Sequence, residues 1–295
     1  MNWLVTALVT ALGAGLVLVV LRDLFHTLGH PGGHGSMSRL VMGTVWRLSG
    51  RTGRHGRLAG LAGPASLLAV VGAWGVLAVT GWALIYLPEI PAGFTFADGR
   101  PPGPGDAPLD ALYFSMVMIS TLGLGDIAPV FGWLRVVAPL EALFGFALLT
   151  VAVSWVLQIY PALTRRRVLA IRLRLLRDAG ALDALRDLDS AMSSWLLAGL
   201  ATDIVQVRVD LHEYTETYYF HEDQPGASLA GTLRYAAELG EAGAASGRAD
   251  TRLAAAVLNR SLDDLAGVLD EKFLHLGGTV IEIIDAYAAD HGRAG

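Results

Sequence analysis

The chain has 295 residues, of which 53% are hydrophobic and only 17% charged, and its mean hydropathy is +0.48. Globular domains that live wholly in water carry more charge, so the composition excludes that class and selects a membrane protein, while the lack of cysteine removes disulfides and thiolate metal sites. The formal net charge of −5 conceals a segregation: residues 22–64 hold six Arg against one Asp, 165–177 hold six Arg and no acid, and 178–295 hold twenty acids against eight basic residues.

Asn2–Leu21 is uncharged and strongly apolar. At a rise of 1.5 Å per residue, about twenty residues cross the hydrocarbon core of roughly 30 Å. Its positive charge follows the apolar run instead of preceding it, which fits a retained span better than a cleaved signal peptide. Residues 23–63 form a basic linker. His26, His30 and His34 recur every fourth residue, but Pro31, Gly32, Gly33 and Gly35 break the helix a metal set would need, so a solvated interfacial segment is expected. Arg51, Arg54 and Arg57 recur every third residue among Thr, Gly and His. That context suits a collar for lipid headgroups rather than a voltage sensor.

Pro64–Pro88 is a second uncharged stretch, and Phe131–Tyr160 a third, interrupted by Arg135 and Glu141. By the positive-inside rule both Arg-rich segments should be cytoplasmic. The stretch Glu89–Asp110, with four acids, one Arg and several Pro and Gly, then reads as an external turret, and the N-terminus lies outside. Between the second and third spans, Leu109–Ser120 is apolar yet too short to cross. Backbone at membrane depth that is not a full helix survives only when buried in protein or lining a wet path, so a half-helix followed by a glycine-punctuated loop predicts a pore.

The loop reads Thr121-Leu122-Gly123-Leu124-Gly125-Asp126. A pore that strips water from a cation must replace it with closely spaced rings of oxygen. Successive backbone carbonyls do this only if alternate residues take left-handed dihedrals, which glycine permits. The carbonyls of Thr121, Leu122, Gly123 and Leu124, with the Thr121 hydroxyl, are the expected ion ligands. Gly125 and Asp126 support them, Asp126 by capping the outer end and anchoring the loop to the half-helix. The half-helix also points the negative end of its dipole at the expected cavity.

Residues 113–129, from Tyr113-Phe114-Ser115 through Thr121-Leu122-Gly123-Leu124-Gly125-Asp126 to Pro129, resemble the pore loop of the potassium channel superfamily, and the likeness spans roughly residues 65–160. The nearest types are small bacterial channels with two helices and a pore loop, and the halves of two-pore-domain channels. The resemblance implies passive K+ conduction by a homotetramer. Leu124 replaces the usual Tyr, and Tyr113-Phe114 the usual Trp pair, so a weakly selective cation channel stays open as an alternative, as does a non-conducting membrane sensor.

On the third span, Gly145 resembles the family's hinge glycine, or is small because a neighbouring helix approaches. Thr150, Ser154 and Gln158 share one helix face, which lines the pore or else bonds its hydroxyls back to the helix. Glu141 is a candidate brace for the filter or a partner of Arg135, and Pro161 is expected to end or bend the helix.

Residues 178–295 read as soluble helices over 181–221, 227–240, 249–276 and 280–290, the last opened by a Thr279–Glu282 capping box. The acids and His of 210–223 bind a divalent ion, sense pH, or simply end an aromatic helix. The expected architecture is an all-α membrane protein. An N-terminal transmembrane helix (1–22) precedes the basic linker (23–63). An outer helix–pore loop–inner helix core (64–161) and a cytoplasmic helical domain (162–295) follow. No nucleophile–base set, cofactor site or nucleic-acid patch is visible. The expected partners are other copies of the chain, membrane lipids and permeant K+, with no regulatory ligand indicated.

Overall fold

The computed structural model describes residues 3–29, 36–51, 62–97, 103, 105–185, 189–220, 222 and 227–291. The expectations attached to His30, Pro31, Gly32, Gly33, His34, Gly35, Arg54, Arg57, His221 and Asp223 fall outside these residues. The described chain forms two compact units, one from residues up to 41 with 67–156, the other from 42–66 with the residues from 157 onward. Three helices are long and apolar enough to cross a membrane: α1 (Trp3–Gly29), α3 (Ala62–Tyr86) and α5 (Leu134–Asp178). The molecule is an all-α membrane protein.

In the first unit, α1 packs on α3 through two glycines. A Cβ on Gly13 would lie 2.4 Å from the Gly81 carbonyl oxygen, so both positions are small because two backbones touch, as at many helix crossings in membranes. Near the end of α1, the buried Asp23 carboxylate accepts from Trp74 Nε1 of α3 at 2.8 Å. It also accepts from Ser38 Oγ (2.7 Å) and the Met37 amide (3.1 Å) of α2 (Ser36–Arg51). Trp74 in turn packs on Trp155 of α5, with ring centroids 5.6 Å apart. The single acid in the basic linker therefore holds three helices together.

After α3 a short 3-10 turn, Leu87–Glu89, leads into β1 (Phe94–Phe96), which pairs antiparallel with β2 (Ile127–Pro129) in the register Phe94↔Pro129. The expected turret thus contains a strand, joined to the segment that leaves the pore loop. Between the strands lies α4 (Ala107–Ile119), the half-helix. Its Phe114 meets Tyr86 and Phe94 edge-on, centroids 4.9 and 5.0 Å away, in a core closed by Leu134 and Ala138 of α5.

Pro161 does not end the inner helix, because α5 runs through it to Asp178. Proline removes one N–H from the ladder, a loss that long membrane helices accommodate when neighbours satisfy the freed carbonyl.

The second unit is built on the contact of α7 (Ser190–Glu213) with α9 (Ala249–Leu269), flanked by α6 (Ala181–Ala184), α8 (Leu233–Ala244) and α10 (Val280–Asp290). Leu197, Leu200, Ile204, Leu258, Leu265 and Leu269 fill its centre. The apolar run 181–221 is interrupted where Asp189 caps a new helix by accepting from the Met192 amide at 2.7 Å. The segment after α7 is a 3-10 helix, Thr215–Tyr219, whose aromatics face inward: Tyr218 stacks on Phe273 with centroids 4.0 Å apart. The capping box at α10 has both of its reciprocal bonds.

Candidate functional site

The pore helix α4 ends in a Schellman turn. The Leu122 amide donates to the Val117 carbonyl at 3.0 Å and the Thr121 amide to that of Met118 at 2.9 Å, with Thr121 in the left-handed conformation (φ 61°). From there the backbone alternates. Gly123 (φ 54°) and Gly125 (φ 78°) are left-handed, while Leu122 and Leu124 between them are not. Three left-handed residues at a spacing of two is the dihedral pattern that turns successive carbonyls to one side. The glycines were legible in the sequence. That Thr121 joins the alternation was not, because a β-branched residue resists positive φ.

Residues 121–125 are all exposed, and the Leu122 and Leu124 side chains stand 65% and 61% open. The outer end of the loop is fixed from two sides. Tyr113 Oη of α4 donates to Asp126 Oδ2 at 2.6 Å, and the Ala97 amide beyond β1 donates to the Asp126 carbonyl at 2.8 Å. Asp126 thus bonds to the pore helix at a residue that stands where the resemblance has a Trp.

Glu141 is fully buried. Its two oxygens accept from Tyr86 Oη of α3 at 2.7 Å and from Ser115 Oγ of α4 at 2.6 Å. These bonds go to α3 and α4, not to Arg135, so the carboxylate ties three helices together. Ser115 Oγ also lies 3.0 Å from the Val79 carbonyl. Tyr86 and Ser115 were not singled out in the sequence. A buried acid on a membrane helix calls for hydroxyl donors on the facing helices, but sequence spacing cannot show which residues face it.

Gly145 sits where α5 crosses the end of the pore helix: a Cβ there would fall 1.9 Å from the Ile119 carbonyl oxygen. Close packing accounts for its size. Thr150 Oγ1 bonds back to the Phe146 carbonyl at 2.9 Å while remaining exposed. Ser154 is half-buried and Gln158 exposed on the same helix. Among the described residues no group of three or more His, Asp or Glu could hold a metal ion.

A re-entrant half-helix, a glycine-alternating loop and two long flanking helices define an ion-channel pore domain. Residues 73–160 match the family model described as "Ion channel". Over 48 residues, 16% of this chain, the sequence is 46% identical to Two-pore potassium channel 5 of Arabidopsis thaliana, covering 12% of that protein. Over 161 residues, 53% of this chain, it is 29% identical to Uncharacterized membrane protein YdjJ of Bacillus subtilis (strain 168), covering 46% of that protein. The matches therefore span less than half the length of either relative. No solved structure matches the chain. Over this domain the chain is similar to ion channels, a plant potassium channel among them.

Proposed function

We propose that four copies of this chain surround one axis and conduct K+ passively. The ions lose water to the carbonyls of Thr121, Leu122, Gly123 and Leu124 and to the Thr121 hydroxyl. The observation that carries this reading is the left-handed alternation at Thr121, Gly123 and Gly125. Such a backbone has little use except to present a file of carbonyls. One pore loop per chain requires several chains to close a ring. The apolar side chains left open beside the filter, Leu109, Leu112 and Met116 on α4 with Leu122 and Leu124, suit a neighbouring copy. The plant relative is named as a potassium channel, which agrees with K+ as the permeant ion. In this reading the chain lies in the cell membrane with its N-terminus outside and the second unit in the cytoplasm. Lipids contact the spans and the basic segments, and no cofactor takes part.

Leu124 supports a second reading, a cation channel of weaker selectivity, since a leucine has no hydroxyl with which to tie the filter to its surroundings. Replacing Gly123 by Ala tests the carbonyl assignment common to both. A methyl group at φ 54° strains the loop and turns its carbonyls. The G123A protein, assembled normally by cross-linking, should lose most of its K+ flux in liposomes. Unchanged flux would contradict the assignment.

A further inference from the structure

The three consecutive arginines in the lower part of α5 each grip a different group around the 3-10 helix. Arg165 makes a paired bond to Asp210, Nε to Oδ2 at 2.7 Å and Nη2 to Oδ1 at 2.6 Å. Arg167 Nε donates to Glu222 Oε2 at 2.8 Å. Arg166 donates to two backbone carbonyls, those of Thr217 and, at 2.7 Å, Phe220. Of the acids in 210–222, Asp210 and Glu222 are thus receptors for this clamp.

Between the two carbonyls held by Arg166 lies that of Tyr218, and it faces a different cation candidate. His291 Nε2 is 2.8 Å from the Tyr218 oxygen, and His291 Nδ1 is 3.1 Å from the Tyr287 oxygen. The ring is only 6% exposed and sits edge-on to Tyr218 and Tyr287, centroids 4.8 and 4.5 Å away. A neutral imidazole has one N–H and one lone pair, so one of these carbonyls must then face a lone pair. An imidazolium donates to both.

We propose that His291 is a proton-operated latch. Protonated, it ties the end of α10 to the 3-10 helix and steadies the carbonyls that Arg166 grips; deprotonated, it gives up one of its two ties. The groups around it act in both directions. From α5, Arg166 lines the same small cavity and opposes a second positive charge, while Glu222, also at that cavity, favours one. From α10, the Asp290 carboxylate favours it as well. Asp290 accepts from Tyr218 Oη at 2.6 Å, and burial together with that carboxylate pushes the Tyr218 phenol up, so it remains a donor. Burial likewise pushes up the Tyr287 phenol. Phe273, stacked on Tyr218, brings no charge. His212 on α7 is a built-in control. Burial, followed by Lys272 and Arg208, holds it below the ordinary histidine value, and it makes no such bridge.

The latch stands on this unit alone. Its effect on conduction rests on the channel reading, since Arg166 and Gly145 share α5. Hydrogen exchange on the purified full chain tests the first part between about pH 5 and 8, the range in which imidazole changes charge. After correction for intrinsic rates, the amides of 215–220 and 283–291 should gain about fivefold protection as pH falls, one hydrogen bond's worth. In His291→Gln that pH dependence should vanish, whereas His212→Gln should keep it. Protection that is flat with pH in the unaltered chain, or equally steep in H291Q, overturns the latch. Should H291Q fold poorly, nitrogen NMR of the histidine-labelled wild-type chain decides: a His291 ring neutral down to pH 5 overturns it. K+ flux then tests the coupling. Flux that varies with pH in the unaltered chain and not in H291Q supports it, and flux indifferent to pH beside an intact exchange pattern overturns that coupling. No flux at any pH, beside the same pattern, contradicts the channel reading and supports the latch.

Discussion

At Thr121 the chain places a branched side chain where a Schellman turn ordinarily takes glycine, at a cost of about 1–2 kcal/mol. The hydroxyl is what glycine would lack, and in the proposed pore it forms the innermost oxygen ring. Thr121→Gly should therefore raise the unfolding free energy by about 1 kcal/mol in detergent melts while weakening K+ preference in flux assays. A variant that melts lower would contradict the strain. Glu141 makes the opposite kind of contribution, since its removal strands the Tyr86 hydroxyl and takes one acceptor from Ser115. Glu141→Leu should cost about 2–4 kcal/mol, and Glu141→Gln, which keeps an acceptor, clearly less. Equal melting of the two variants would show that the bonds contribute little.

The helix elements were legible because each is carried by a periodic or unbroken apolar run: 2–21, 64–88, 109–120 and 131–160 all became helices within a few residues at most boundaries. The inner helix exceeded its apolar run, and its continuation through Arg165, Arg166 and Arg167 lies within the second unit, where these residues bond to Asp210, Phe220 and Glu222. The β1–β2 ribbon was not legible, since three-residue strands leave no period to read. Nor was the Gly13–Gly81 crossing, because a packing glycine resembles any other until its neighbour is known. Gly145 is the decisive case among the pore residues. Its sequence position allowed a hinge or a packing site, and the Ile119 carbonyl 1.9 Å from an added Cβ explains why it is small. Gly145→Ala should push α5 off the end of the pore helix and lower K+ flux steeply, while circular dichroism of the helices changes little. Retained flux would mean the crossing relaxes freely. In α10, Thr279→Ala should cost about 1 kcal/mol of local stability, read by hydrogen exchange. The Thr279 backbone N–H and then its hydroxyl hold Glu282 below its ordinary value of 4.5. The contribution of the box is accordingly complete above that value and lost as pH falls through the lower, folded one.

Across the whole molecule, the proposed function falls where the described chain leaves apolar and backbone groups open. Residues 121–125 are exposed and the apolar face of α4 is open, which suits the proposed ring of four copies. The second unit is finished, with its own core, capped helices and paired charges, as expected of a part that regulates or assembles rather than conducts. A membrane sensor built on a channel fold would share the second feature without using the first. The most direct measurement is the reversal potential of the purified protein in a planar bilayer, with K+ on one side and Na+ on the other. The account predicts a potential close to the K+ equilibrium value. A potential near zero would contradict K+ selection by the carbonyls of Thr121, Leu122, Gly123 and Leu124.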